Sequence, residues 1–183
     1  NALFLKDLAE KTHRGLRGRV EQGKSGGGNA YGYDVVRKLD VNGEPIRGNR
    51  TVNMVEAEVV RRIFRNFAAG LGPRAIAFRL NDEGIPAPGS GAWGFSTITG
   101  NRARGTGILN NEMYVGKLVW NRQRFIKDPD TGKRQARPNP ETEWVIQDVP
   151  ELRIVDQDLW DAVKARQASV SASRDTRDTS SPD

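Results

Sequence analysis

The chain has 183 residues, no cysteine and one histidine, His13, which excludes a disulfide framework, a Cys-rich zinc site and a thiol nucleophile. Its formal charge is +6 and its isoelectric point about 9.9, a balance suited to a polyanionic partner. No apolar run approaches the ~18 residues of a membrane span, and the start NALFLKDLAEKTHRG lacks the order of a secretory signal, so a cytoplasmic or nucleoid-associated protein is expected.

Residues 2–20 read as a helix, with Leu5, Leu8, Ala9, Thr12 and Leu16 on one face and basic residues around the rest. No capping residue precedes Leu3, as expected for the end of a longer helix. The stretch 22–32, QGKSGGGNAYG, is a glycine-rich linker and turn. The signals Asn42-Gly43 and Gly48-Asn49 then predict a β-hairpin with strands near 31–38 and 49–53. The clearest helix spans 54–69, with Val59, Val60, Ile63, Phe64 and Phe67 as its core stripe, stopped by Gly70. Pro73 opens a second helix that buries Ile76, Ala77 and Leu80 and ends at Gly84.

After the turn-rich GIPAPGSGAWGF, Ser96 is placed to cap a third helix starting at Thr97, which Gly100, Gly105 and Gly107 would shorten or break. Residues 115–125 read as one strand, with EWVIQDVP as its partner. Asp156 or Asp158 opens a last helix carrying Leu159, Trp160 and Val163. From Ser169 onward the Ser/Thr/Asp/Arg-rich composition predicts a disordered tail.

Basic charge is uneven along this order. Residues 1–30 carry six Lys/Arg against three Asp/Glu, residues 91–140 nine against three, and residues 141–183 five against ten. Two basic segments are therefore candidates for nucleic-acid contact. One is the run Lys11, Arg14, Arg17, Arg19 and Lys24, on a helix that passes into flexible glycines and could follow phosphates into a narrow groove. The other is the pair of helices at 73–83 and from 96. It resembles a helix-turn-helix with a long connection, and Ser96, Thr97, Thr99, Asn101, Arg102 and Arg104 lie at or after its second start. Each also has a plain alternative, a solvated helix face or a polar loop.

Gly18 to Ser25 formally matches a phosphate-binding loop, G-x-x-x-x-G-K-S, but that motif needs a strand before it and a helix after it, and neither is predicted. The four tryptophans have apolar neighbours and read as core or core-edge residues. His13, Ser25, Ser90 and Ser96 have no partner at catalytic spacing.

Taken together and in order, KTHRGLRGRVEQGKSGGGNAYGYDVV, EAEVVRRIFRNFAAGLGPRAIAFRLNDEGIPAP, WGFSTI and GTGILNNEMYVGKLVWNR resemble the recombinase domain of large serine recombinases, the site-specific integrases and transposases of phages and mobile elements, over roughly residues 1–168. That resemblance implies a mixed α+β fold. Residues 1–21 would end a long helix leading from a catalytic domain, and 22–168 would form the DNA-binding domain. It implies a minor-groove or phosphate role for Arg14, Arg17, Arg19 and Lys24. Ser96, Thr97, Arg102 and Arg104 would take a major-groove or phosphate role. The implied partners are double-stranded DNA and other recombinase subunits, with no membrane, no cofactor and a monomer for this chain alone.

Three departures shape the expectation. No segment resembles the catalytic domain, so the chain by itself is expected to bind DNA and cleave nothing. Without cysteine it holds no zinc ribbon. The stretch TGNRARGTG is longer and richer in glycine than the reading helix of many relatives. A transcriptional regulator's DNA-binding domain, or a nucleotide-binding enzyme using Gly18 to Ser25, stays open as an alternative.

Overall fold

The computed structural model describes residues 2–178. Helix α1 (Ala2–Glu21) stands largely clear of the body at its start, because Leu3, Phe4, Leu5 and Leu8 are all exposed. The apolar face expected at Leu5, Leu8 and Ala9 is thus uncovered, and burial begins only at the far end, where Val20 is fully enclosed. That end packs on the antiparallel pair of strands at Lys117–Trp120 and Val145–Asp148.

The predicted hairpin forms in two stages. Strands β1 (Tyr33–Val35) and β4 (Arg50–Val52) pair antiparallel with Tyr33 opposite Val52, and the short β2 (Lys38–Leu39) and β3 (Pro45–Ile46) extend it. Asp40 closes its tip, its carboxylate accepting from the amides of Asn42 and Glu44 at 2.8 and 2.9 Å.

Helix α2 (Met54–Ala68) begins where Asn53 caps the amide of Glu56. The Glu56 carboxylate in turn accepts from the amide of Gly32 at 2.7 Å, tying the helix start to the hairpin. The stripe at three- and four-residue spacing buries Ala57, Val60, Ile63, Phe64 and Phe67. Helix α3 (Pro73–Asp82) adds Ile76, Ala77 and Leu80.

Asn81 fixes the chain after α3, exchanging hydrogen bonds with both the amide and the carbonyl of Trp93, whose indole donates to Ile85. Helix α4 (Phe95–Thr99) packs against α3 and is only five residues long. Gly94, not Ser96, is its N-cap, so Ser96 lies inside the first turn.

The segment 115–125 is not one strand. Strand β5 (Lys117–Trp120) ends at Asn121, which has φ 66°, and β6 (Gln123–Lys127) leaves in a new direction. Asparagine tolerates the left-handed region because its short amide finds local partners; here it donates to Glu143 O at 3.0 Å. Strand β5 pairs with β8 (Val145–Asp148), the partner expected from EWVIQDVP, whereas β6 pairs with β7 (Arg134–Pro138).

Helix α5 (Gln157–Asp178) opens where Asp156 accepts from the amide of Leu159 at 2.8 Å. It runs to Asp178, past Ser169, where an unstructured tail was expected to begin. No glycine or proline lies between Leu159 and Ser181 to stop it; residues 179–183 lie outside the described residues.

Trp160 of α5 stacks on Phe64 with ring centroids 5.8 Å apart, and Phe64 also meets Tyr114 edge-on. Arg166 reaches across to the end of α2, donating to the carbonyls of Phe67, Gly70 and Leu71, where the helical hydrogen-bond ladder runs out. Trp93 and Trp160 are buried and Trp120 and Trp144 half-buried, in keeping with core and core-edge roles. The architecture is α+β: a helical core of α2, α3 and α5, edged by small antiparallel ladders.

Candidate nucleic-acid interface

The glycine-rich linker is held at both ends and open in the middle. Helix α1 terminates with Gly23 N donating to Val20 O at 2.8 Å and Lys24 N to Arg19 O at 3.0 Å. Ser25 is buried, and its amide donates to Gly48 O at 2.8 Å. Gly48 has φ +93°, and a Cβ there would sit 2.8 Å from Ser25 O, so only glycine lets the hairpin turn approach this closely. Arg50 holds the next stretch, donating to Gly27 O at 3.3 Å and Asn49 O at 3.1 Å, and its partial burial pulls the guanidinium below its ordinary pKa. A Cβ at Gly27 or Gly28 would meet open space, so no side chain crowds this backbone, while the Gly27 amide donates to the Ser25 hydroxyl at 3.3 Å.

The same geometry disposes of the phosphate-loop alternative. Residues Gly18 to Glu21 are helical, and the chain after Ser25 bends into β1 with no helix.

Across from the linker stand α4 and the turn after it. Gly100 and Gly107 end α4 by mutual contact: a Cβ on Gly100 would fall 1.8 Å from Thr106 O. Between them residues 101–106 form a tight turn closed by the Asn101–Thr106 bridge. Arg102 and Arg104 are exposed on this turn, because the helix stops at Gly100, one of the glycines expected to shorten or break it. The collision of the two glycine backbones with any side chain is the reason: a longer helix through 100–107 cannot coexist with this closure.

Linker and α4 line one open hollow of about 670 Å³, with Gly26–Tyr31 on one wall, Ser96, Thr97 and Gly105–Ile108 on the other, and Trp120 among its lining. Tyr31 sits at this rim and donates to Pro86 O at 3.2 Å; burial, with a smaller push from the Glu56 charge, raises its phenol to about 12.

The eight residues singled out from the sequence fall into three places. Arg14 and Arg17 are exposed on α1, with Arg17 paired to Glu21 at 2.9 Å. Arg19 and Lys24 are half-buried and pack beside Gly48, so their stems belong to the linker's anchorage. Ser96 and Thr97 share the hollow with the linker, and Arg102 and Arg104 stand on the turn at its edge.

Sequence reasoning missed a fourth group. The β6–β7 ribbon carries Arg124, Lys127, Lys133, Arg134 and Arg137, and merging β6 into β5 hid it. The signal was present as basic residues on both sides of Asp130-Thr131-Gly132.

Residues 54–170 match the sequence model of the family described as Recombinase. The chain belongs to the Recombinase family. Membership places this recombinase chain in DNA recombination and agrees with the resemblance read from the sequence. The matched span runs from the start of α2 into α5 and includes α4, the 101–106 turn and all of β5–β8; α1, the linker and the first hairpin precede it. No curated protein matches the chain. Among the described residues of this recombinase, no helix is long and apolar enough to cross a membrane.

Proposed function

We propose that this chain is the DNA-binding unit of a large serine recombinase, non-catalytic by itself, and that it seats on one half of a recombination site. The observation that carries the reading is the convergence of the glycine-rich linker and the polar first turn of α4 on one hollow, whose Gly105–Thr106 wall belongs to the turn that exposes Arg102 and Arg104. The linker backbone at Gly27 and Gly28 is narrow enough to follow a minor groove, with Arg14 and Arg17 on the preceding helix holding phosphates. Arg17 gives up little to do so, since an exposed helical ion pair such as Arg17–Glu21 is worth about 0.3–0.5 kcal/mol. Arg19 and Lys24 add charge beside the linker while their stems anchor it. Ser96 and Thr97 face the adjacent major groove, and Arg102 and Arg104 hold its edge. In the intact protein this unit positions the catalytic serine domain; alone it binds as a monomer.

The test is binding of duplex from the flanks of the chain's own genetic element against scrambled duplex, at two salt concentrations. Affinity should fall steeply with salt. The Arg102→Ala plus Arg104→Ala variant should flatten the log–log slope by about 2, because each lost phosphate contact removes about 0.9. Equal, salt-independent affinity for both duplexes would sink the reading.

A further inference from the structure

The β6–β7 ribbon is charged in a way that its own stability does not favour. Register sets Arg124 directly opposite Arg137 and Lys127 directly opposite Arg134. Side chains alternate between the faces of a strand, so one like-charge pair lies on each face of the ribbon. Like charges directly opposed across strands destabilise the pairing. No third strand joins the ribbon among the described residues, so nothing in the sheet offsets that cost. Over 123–138 five Lys/Arg face two Asp, and Asp128 is engaged by its own turn, accepting from the amides of Asp130 and Thr131.

The ribbon is nonetheless firmly rooted. Asn139 is buried at its base, donating to Asn121 O at 2.9 Å, accepting from Arg124 at 3.0 Å and offering its carbonyl to the Trp144 indole. Arg122, at the entry to β6, pairs with Glu112 and stacks on Trp144 at 4.4 Å. Arg134 lies over the exposed ring of Phe125 at 4.1 Å, which holds its guanidinium along the ribbon.

The root stands between the two basic regions of the proposed interface. On one side His13 of α1 reaches Asn121 at 3.4 Å, one residue before Arg14. On the other, Gly105 of the Arg102/Arg104 turn lies so close to the Arg122 guanidinium that a Cβ would come within 2.9 Å of it.

We infer that the β6–β7 ribbon is a further DNA-contacting arm, which enters a groove of the duplex and engages the phosphates of both walls with Arg124 and Arg137 on one face and Lys127 and Arg134 on the other. A surface lying flat on one phosphate row would need cations on one face only. A groove lined by phosphates on both sides matches cations on both, and the major groove, about 12 Å wide, admits a two-stranded ribbon. The contact is to backbone, so it adds affinity without choosing sequence. This inference rests on the DNA-binding reading above and extends it to a region not included there.

The experiment compares three variants of the full chain, each lacking two charges: Arg124→Gln with Arg137→Gln, Lys127→Gln with Arg134→Gln, and, as a control at two exposed arginines outside the ribbon (Arg65 on α2 and Arg153 after the 150–152 turn), Arg65→Gln with Arg153→Gln. Each ribbon variant should weaken binding to flanking and scrambled duplex by the same factor, about tenfold or more at low salt, and flatten the salt slope by about 2. Their preference for the flanking duplex should be unchanged. The control should leave the slope near that of the parent chain. Ribbon variants that bind like the parent, or a control that loses as much as they do, would overturn the ribbon's role while leaving the interface at Arg102 and Arg104 standing. Failure of the parent chain to bind any duplex would overturn both. Circular dichroism and urea unfolding check that the ribbon variants are folded, and Lys127→Gln by itself, which removes a like charge but no contact at the root, should bind more weakly in the same sequence-independent way.

Discussion

The helical core and the β6–β7 ribbon use their side chains for opposite ends. Around Phe64, every position serves cohesion: the ring is fully buried, stacks on Trp160 and meets Tyr114, and Arg166 satisfies the carbonyls where α2 ends. On the ribbon, apolar Phe125 and Ile126 are exposed, and cations oppose cations across the strands. The ribbon thus opposes like charges while being rooted by a buried asparagine. Stability and binding should therefore separate when each region is changed.

The largest expected effect is in the core. Phe64→Ala should cost about 3–5 kcal/mol of unfolding free energy, from lost burial and the cavity left beside Trp160 and Tyr114. Urea unfolding followed by tryptophan fluorescence measures it, and a loss below about 1 kcal/mol would mean that the helices do not depend on this contact.

Next comes Arg166→Ala. Three carbonyls at the end of α2 would lose a charged donor, for about 1–3 kcal/mol. Amide hydrogen exchange should rise first around Phe67 to Leu71. Uniform exchange across all of α2 would instead point to a packing role for the Arg166 stem over the Phe67 ring.

The smallest effect has the opposite sign and sharpens the contrast most. Arg137→Glu places a carboxylate opposite Arg124 and should stabilise the fold by roughly 0.2–1 kcal/mol. The same change should weaken DNA binding. A variant that gained stability and kept its affinity would separate the ribbon's charge from any DNA role.

Much of the helical frame was legible because it is periodic. The stripe of Val60, Ile63, Phe64 and Phe67 and the proline-opened α3 follow from local spacing and caps that need no distant partner. The hairpin at 33–52 was legible from its turn signals. The break at Asn121 was not. A strand with one left-handed asparagine looks continuous in sequence, and only the partners reveal it, since β5 finds β8 and β6 finds β7. The short α4 was half legible: its glycines announced a limit, but their backbone contact at Gly100 and Gly107, and the cap at Gly94, required the closed turn.

For the candidate interface, the sequence by itself determined which residue types were available and that basic charge gathers near the start and between 91 and 140, because charge is additive along a chain. It also marked the family through ordered local motifs. The tertiary structure decided how those charges are deployed. It set the glycine-rich linker opposite Ser96 and Thr97, closed the turn that carries Arg102 and Arg104, drew the stems of Arg19 and Lys24 against Gly48, and raised the ribbon between α1 and the 101–106 turn. These placements depend on contacts between segments far apart in the chain, and such contacts leave no periodic trace in the residues that make them.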